Sequence, residues 1–162
     1  MSNLSHEQHP FAPVYDIHSR VLILGSFPSV RSRETGFYYG HPQNRFWNVL
    51  SALYNEPFPV GNDARREMVL RHRLALWDAV KSCDITGSSD ASIRNAVPND
   101  LSVLLSHAPI ERIFCNGKLA FALYSRYCSS STGMEAVSLP STSAANAAWR
   151  LDKLTEAWRT IL

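Results

Sequence analysis

Two asparagine residues are the features of this sequence best suited to chemistry, and the first is Asn44 in the segment GHPQNRFW. Apolar residues at helical spacing follow, so we expect a helix that begins at Pro42 with Asn44 as its third residue. A carboxamide takes up no proton at neutral pH, but a fixed one can orient a water molecule for attack. Alternatively, Asn44 caps nearby backbone amides, and His41 braces the loop.

The second is Asn116, which directly follows an apolar run and precedes Gly117. Its side chain offers both a donor and an acceptor, which match the adjacent C=O and N–H of the lactam edge of a nucleobase. An Asn-Gly pair is equally typical of a plain turn. The residue alone leaves both roles open.

The segment GSFPS ends another apolar run at Gly25. Glycine lets the backbone approach a ligand closely, and Pro28 stiffens the turn, so that the amides of Ser26 and Phe27 are available as donors. An ordinary loop after a strand is the alternative. The chain contains neither GxGxxG nor GxxxxGK, which argues against the common nucleotide-phosphate loops.

Three consecutive aromatic residues occupy positions 37–39. Adjacent rings in a loop cannot all point inward, so at least one should line a cleft or the surface. Tyr39 abuts Gly40 and is our candidate for a ring that stacks on a base, a contact worth about 1–3 kcal/mol. Core packing is the alternative.

The segment PSTS at positions 140–143 precedes the last predicted helix. Ser143 can cap that helix, and the hydroxyl and amide groups of the segment can equally hold a DNA phosphate at the helix N-terminus. The two roles are compatible, so this segment alone decides little.

Composition limits the remaining possibilities. The chain has 162 residues and a net charge of +2, which is most simply one globular domain. Cys83, Cys115 and Cys128 form no CxxC pair, and no Cys/His spacing suggests zinc, so we expect reduced, buried thiols and no metal site. No apolar run approaches the roughly 18 residues of a membrane span, and no signal pattern is evident, so we expect a cytoplasmic protein.

The apolar pattern predicts four short strands, at about 21–24, 74–80, 111–115 and 135–139. Helices are predicted over about 42–55, 63–72, 100–107, 118–127 and 144–161, and residues 82–92 are interpreted as a turn-rich connection. Strands that alternate with helices are typical of a parallel sheet covered on both faces. We therefore expect a single three-layer α/β/α domain with a four-stranded parallel sheet over residues 15–162, after a loose lead-in over residues 1–14.

Ligands of such sheets bind outside the carboxyl ends of the strands. Three polar segments should converge there, at residues 25–29, 116–118 and 140–143.

Together these motifs resemble the uracil-DNA glycosylase superfamily. Residues 25–29 are similar to its first motif, residues 114–118 to the end of its base-recognition strand, and residues 139–143 to its second motif. GFYYGHPQNRFW is similar to a segment that mismatch-specific uracil-DNA glycosylases carry after the first motif. With LPSTSAANA, the pattern looks most like the hypoxanthine-DNA glycosylase branch, over nearly the whole chain from about Tyr15.

The resemblance implies hydrolysis of the base–sugar bond of deaminated bases in DNA by a monofunctional enzyme without metal or cofactor, and we expect a monomer. Uracil-directed relatives usually have Asp or Asn where this chain has Phe27, and the histidine that some carry before the position of Pro140 is missing. In the hypoxanthine branch the catalytic carboxamide is the Asn of HPQN, which is Asn44 here.

The predicted site therefore has three parts. Asn44 is catalytic. The base-binding residues are Gly25, Ser26, Phe27, Tyr39 and Asn116. The residues expected to contact the DNA backbone or fill the gap left by the base are Ser29, Lys118, Ser141, Thr142 and Ser143.

Two other functions stay open. A uracil or mixed-substrate glycosylase is possible because an asparagine amide can reorient to serve uracil. A non-catalytic module for damaged or single-stranded DNA is the other, since the pocket motifs contain no acidic residue. Such a module would bind in a salt-sensitive manner and form no alkali-labile sites.

Overall fold

The computed structural model describes residues 4–162, so residues 1–3 of the predicted lead-in lie outside the described residues. The strands in this range are β1 (Leu4–Gln8), β2 (Val21–Gly25), β3 (Leu74–Asp78), β4 (Val80–Thr86), β5 (Arg94–Pro98), β6 (Arg112–Asn116) and β7 (Ala136–Leu139). Four of them form a parallel sheet with the order β3-β2-β6-β7. The α/β architecture and the four-stranded parallel sheet predicted from the sequence are confirmed.

Helices cover both faces of this sheet. They are α1 (Val30–Thr35), α2 (Phe46–Tyr54), α3 (Asn62–Arg71), α4 (Leu101–His107), α5 (Lys118–Tyr127), α6 (Ser129–Thr132) and α7 (Leu151–Trp158). Side chains alternate between the two faces of a strand. Accordingly, Val21 and Ile23 of β2 pack in the core with α2, α3 and α7, whereas Leu22 and Leu24 pack in the core with α4 and α5.

The N-terminal segment is part of the packed structure, and the prediction of a loose lead-in is wrong for residues 4–14. Strand β1 pairs with β4 in an antiparallel sheet with the order β1-β4-β5. Val14 is fully buried and bridges Leu76. The prediction of a turn-rich connection over 82–92 is also wrong in its first half, since β4 extends to Thr86. This small sheet depends on pairing between distant segments, which local sequence patterns do not reveal.

Two helix boundaries differ from the prediction. Helix α2 begins at Phe46 instead of Pro42, because residues 41–44 form a turn in which the Asn44 amide donates to the carbonyl of His41. The last helix begins at Leu151 instead of near residue 144, because residues 140–150 form an irregular loop. Asn44 is therefore not the third residue of a helix but lies just before one.

Candidate active site

A cavity of about 320 Å³ opens at the carboxyl end of the parallel sheet. Its size is that of a small ligand pocket. Ten of the predicted site residues line it, namely Gly25, Ser26, Phe27, Ser29, Tyr39, Asn44, Asn116, Ser141, Thr142 and Ser143. The three polar segments therefore converge as expected, since β2, β6 and β7 all end at this edge.

Three of these side chains form what we call the amide group: Asn44, Asn116 and Thr142. The Asn116 Nδ2 donates to Thr142 Oγ1 at 2.9 Å, and the Thr142 amide donates back to Asn116 Oδ1 at 3.0 Å. The Thr142 hydroxyl in turn donates to Asn44 Oδ1 at 2.9 Å. One buried hydroxyl thus holds both asparagines in place.

The Asn44 oxygen is occupied twice, because it also accepts from the Phe46 amide at 2.9 Å. Capping of α2, which was the alternative role for Asn44, is therefore present. The Asn44 Nδ2 makes no hydrogen bond to residues 4–162 and is the polar group that the side chain can offer to the cavity. Asn116 retains one N–H, which faces the Tyr39 hydroxyl, and one lone pair.

Thr142 was predicted to contact the DNA backbone, but the structure gives it a different place. It is fully buried, and its hydroxyl lies between the two asparagines. Its side chain therefore links the two asparagines, and its contact with the DNA backbone stays a prediction.

Tyr39 lies at the cavity in an unusual conformation. Its φ of 54° is left-handed, which costs about 1–3 kcal/mol for a residue with a side chain. The ring packs against Phe46, with the ring centroids 4.1 Å apart. The hydroxyl oxygen is buried and has no hydrogen-bond partner within residues 4–162, although it faces the Asn116 carboxamide. Burial, and next the charge of Asp78, raise the pKa of Tyr39 far above its usual value, so the hydroxyl keeps its proton.

Two acidic residues that the sequence reasoning missed also line the cavity, Asp78 and Asp90. Asp78 ends β3, is 3% exposed, and accepts a hydrogen bond at Oδ2 from His9 Nε2 at 2.8 Å. Asp90 accepts from the Ser26 hydroxyl at 3.0 Å and is exposed to solvent on its outer side, but partial desolvation beside the cavity raises its pKa, with a further contribution from the charge of Asp78. The sequence motifs at the pocket contain no acidic residue, but the cavity itself contains these two, which come from segments outside the motifs.

Asp78 could have been found from the sequence. It directly follows an apolar run, in the same relation to its strand as Asn116 has to β6. His9 carried no such signal, because it reaches Asp78 from the segment after β1.

Gly25 makes room for the Asp78 carboxylate. A Cβ atom at Gly25 would lie 2.3 Å from Asp78 Oδ1 and 3.3 Å from the Tyr39 hydroxyl oxygen. Both atoms therefore border one notch above Gly25, and we call Tyr39 and Asp78 the phenol–carboxylate pair. Phe27 lies beside them and is 7% exposed, with the Arg33 guanidinium 5.6 Å from its ring centroid.

The loop over residues 141–150 is held by Arg45. The Arg45 guanidinium donates to the backbone carbonyls of Ser143, Asn146 and Trp149, and its amide donates to the Thr142 carbonyl. Ser143 was a candidate cap for the last helix, but its hydroxyl accepts from the Ala145 amide inside the loop. The loop at the cavity rim is thus fixed from the residue next to Asn44.

Ser29 and Lys118 are placed differently from each other. The Ser29 hydroxyl caps α1, since it accepts from the Ser32 amide at 3.1 Å. Lys118 begins α5 and is exposed, and it does not line the cavity. Contact of either residue with phosphate stays a prediction.

No group of three or more His, Cys, Asp or Glu side chains in residues 4–162 is arranged to hold a metal ion. The same part of the chain contains no helix long and apolar enough to cross a membrane. All three cysteines are free and buried, and burial raises the pKa of Cys83 and Cys128 to about 11 and that of Cys115 to about 12. They therefore remain thiols and take no part in the site.

Comparison with known proteins agrees with the geometry. Residues 12–162 match the family model described as the uracil DNA glycosylase superfamily. The chain belongs to this superfamily, as its resemblance in sequence indicated.

Two curated relatives lie in the branch that the motifs resemble. A protein of Methanosarcina acetivorans named hypoxanthine DNA glycosylase is 34% identical over 93% of this chain and 95% of its own length. One of Methanosarcina barkeri with the same name is 36% identical over 67% of this chain and 70% of its own length. The solution structure of a putative uracil DNA glycosylase from Methanosarcina acetivorans is similar, with a TM-score of 0.77 and 31% identity over 93% of this chain and 96% of that one.

Proposed function

We propose that this protein is a DNA glycosylase that removes hypoxanthine, hydrolysing the bond between the base and the deoxyribose and leaving an abasic site in an uncut strand. The observation that carries the proposal is the amide group, in which Thr142 holds Asn44 and Asn116 at the cavity. The names of the curated relatives support hypoxanthine as the base.

The substrate base must leave the duplex to reach this cavity, which costs least when its pairing is already weak. The cavity of about 320 Å³ is lined by Phe27, which offers apolar surface to a flipped purine, while the Tyr39 ring is packed against Phe46. Residues 141–145 stand at the rim, where they can fill the gap in the stack and contact the neighbouring phosphates.

Asn44 holds the water molecule in this proposal. Its Oδ1 is occupied by Phe46 and Thr142, so its Nδ2 donates to the water oxygen. The C1′–N9 bond breaks with its electron pair moving to the base, and positive charge grows on the sugar. The water oxygen then adds to C1′, and its proton passes to the departing base or to solvent. A strongly electrophilic sugar needs a positioned water more than a strong base.

Lysine chemistry does not enter this scheme. Lys118 is the lysine nearest in sequence to the site, and it is exposed outside the cavity lining. The product is therefore an intact strand with an abasic site, formed without an imine intermediate.

The test is incubation with a labelled duplex that contains one deoxyinosine, followed by hot alkali and a denaturing gel. Cleavage at the deoxyinosine only after alkali is the expected result, and an intact strand would overturn the proposal. Parallel duplexes with deoxyuridine and deoxyxanthosine measure the preference among deaminated bases.

A non-catalytic module for damaged DNA loses its main support, since Asp78 and Asp90 place acidic groups in the pocket. It would still be recognised by salt-sensitive binding without alkali-labile sites. We further propose that the enzyme works as a monomer in the cytoplasm.

A further inference from the structure

We propose that Asp78 and Tyr39 read the lactam edge of the base, with the Asp78 carboxylate accepting from N1–H and the Tyr39 hydroxyl donating to O6. This inference rests on the proposed function and deepens it, because it names the residues that select the base. It gives Asn116 a smaller share of recognition than its sequence context suggested.

The first argument is that Asn116 is already engaged. Its Oδ1 accepts from the Thr142 amide, and its Nδ2 donates to the Thr142 hydroxyl. The carboxamide therefore cannot turn freely to present a full donor–acceptor face to a base. Its remaining N–H faces the Tyr39 hydroxyl oxygen, so that hydroxyl still lacks an acceptor for its own proton.

The second argument is the unsatisfied Tyr39 hydroxyl. A buried hydroxyl without a partner is destabilising by about 1–3 kcal/mol, and the left-handed backbone of this residue adds strain. The ring is held against Phe46, so the hydroxyl cannot move away to find solvent. A carbonyl oxygen on a bound base would satisfy it.

The third argument is the position of the Asp78 carboxylate. His9 holds Oδ2, while Oδ1 borders the notch at Gly25 and makes no hydrogen bond to the described residues. The residue lines the cavity although it is almost wholly buried. An ionised carboxylate only accepts hydrogen bonds, so this oxygen seeks an N–H donor.

Together the pair is complementary to one class of base. Hypoxanthine presents O6 as an acceptor and N1–H as a donor, side by side. Adenine presents a lone pair at N1, which would face the Asp78 carboxylate without a proton between them. A site built to bond an N–H rejects the analogue that lacks it strongly, because a buried polar group is then left unpaired.

The pair also predicts which other bases fit. Xanthine and uracil carry the same adjacent C=O and N–H, so the pair accepts a lactam and not a particular ring. Guanine carries it as well, and its strong pairing in the duplex keeps it from being extruded.

The test compares deoxyinosine with deoxynebularine, a purine nucleoside with hydrogen at C6 and no proton at N1, in otherwise identical duplexes. Tyr39→Phe and Asp78→Asn should each slow single-turnover cleavage of deoxyinosine by about tenfold or more. Cleavage of deoxynebularine, which lacks both lactam atoms, should change by less than about threefold in the same variants. Asp84→Asn, a carboxylate on β4 that bonds Asn95 and His6 away from the cavity, is the matched control and should change neither rate.

The same comparison can be made by binding if the wild type cleaves deoxynebularine too slowly to measure. Duplexes with 2′-fluoroarabino sugars resist hydrolysis, and the two variants should weaken binding of the inosine form selectively. Equal losses for both bases, or no loss for deoxyinosine in either variant, would overturn the inference. Failure of the proposed function looks different, because the wild type itself would then leave the deoxyinosine duplex intact.

Discussion

The two groups of polar side chains in the cavity differ in how many of their polar atoms have hydrogen-bond partners within the protein. Asn116 and Asp78 end β6 and β3, the two neighbours of β2, so they stand on either side of the central strand. In the amide group, Thr142 links the asparagines through hydrogen bonds within the protein. In the phenol–carboxylate pair, the Tyr39 hydroxyl is buried without a partner.

This difference separates two tasks. A side chain that hydrogen bonds hold in one orientation before the ligand arrives is preorganised, which suits the positioning of water. A polar atom that is buried and unpaired in the empty protein contributes the most binding free energy when a ligand supplies its hydrogen-bond partner. We therefore assign geometry to the amide group and selection of the base to the phenol–carboxylate pair.

The largest effect is expected from the loss of Asn44, the side chain that we propose holds the water. Asn44→Ala should reduce cleavage of deoxyinosine by about a hundredfold, the scale for one well-placed polar group. Asn48→Ala, on α2 but outside the cavity lining, is the control. Single-turnover kinetics measure both, and near-normal turnover in Asn44→Ala would move catalysis to another residue.

Gly25→Ala tests the phenol–carboxylate pair. The new Cβ would lie 2.3 Å from Asp78 Oδ1, so the carboxylate must leave its place beside His9. We expect stability to fall by about 1–3 kcal/mol and cleavage of deoxyinosine to fall by about tenfold. Adding Asp78→Ala removes the clashing atom and should recover part of the stability in urea unfolding. If Gly25→Ala alone were as stable as the wild type, the notch at Gly25 would have more room than the structure indicates.

Thr142→Val tests the link within the amide group. The shape is kept, but Asn116 Nδ2 and Asn44 Oδ1 each lose a partner, which should cost about 1–3 kcal/mol of stability. The rate of deoxyinosine cleavage should fall by about tenfold, because Asn44 is less firmly held. Thr142→Ser keeps the hydroxyl and should retain most of both. Equal behaviour of the Val and Ser variants would contradict the role of the hydroxyl.

Two adjacent tyrosines give a smaller but cleaner contrast in stability. The Tyr38 hydroxyl donates to the Ala12 carbonyl at 3.1 Å, whereas the Tyr39 hydroxyl has no partner in residues 4–162. Tyr38→Phe should therefore lower the free energy of unfolding by about 1 kcal/mol, and Tyr39→Phe should leave it unchanged or raise it. Urea unfolding of the two variants decides this, and a comparable loss in Tyr39→Phe would mean that its hydroxyl is already bonded.

The smallest effect concerns pH. Partial desolvation beside the cavity raises the pKa of Asp90, which is otherwise exposed, so its small contribution to stability is present below the pKa of the unfolded chain and is lost as pH rises through the raised folded value. Asp90→Asn removes this ionisable group and keeps a partner for Ser26. The variant should melt slightly higher than the wild type at pH 7, and the two should converge in acid below the ordinary Asp range. If the wild type instead gained stability relative to Asp90→Asn between acid pH and pH 7, the pKa of Asp90 would be lowered on folding and the prediction would be wrong.

The parallel sheet and most of the cavity lining could be predicted because they depend on local patterns. A buried strand such as β2 is a continuous apolar run, and the polar residue that follows it is placed at the sheet edge by topology alone. Gly25 and Asn116 were found in this way. Asp78 obeys the same rule and was overlooked among the residues of its strand.

Other features depend on contacts between distant segments. His9 reaches Asp78 from 69 positions away. Strand β1 pairs with β4, and both β2 and β3 lie between these two strands along the chain. The role of Thr142 could not be predicted either, because a PSTS segment does not show which hydroxyl is turned inward. The turn before α2 could not be predicted from the spacing of apolar residues, because that spacing begins only at Phe46. The Asn44 side chain caps the helix from outside it, and this leaves the pattern of the following residues unchanged.

The grip of Arg45 on the rim loop has a mechanical consequence. Its guanidinium is anchored to three carbonyls between Ser143 and Trp149, and its own peptide bond is shared with Asn44. A duplex that pushes the loop aside during insertion would pull on this anchor and, through one peptide unit, tilt the side chain that holds the water. In the proposed reaction, engagement of the strand and alignment of the water are therefore connected through Arg45 and, more directly, through the Thr142 hydroxyl.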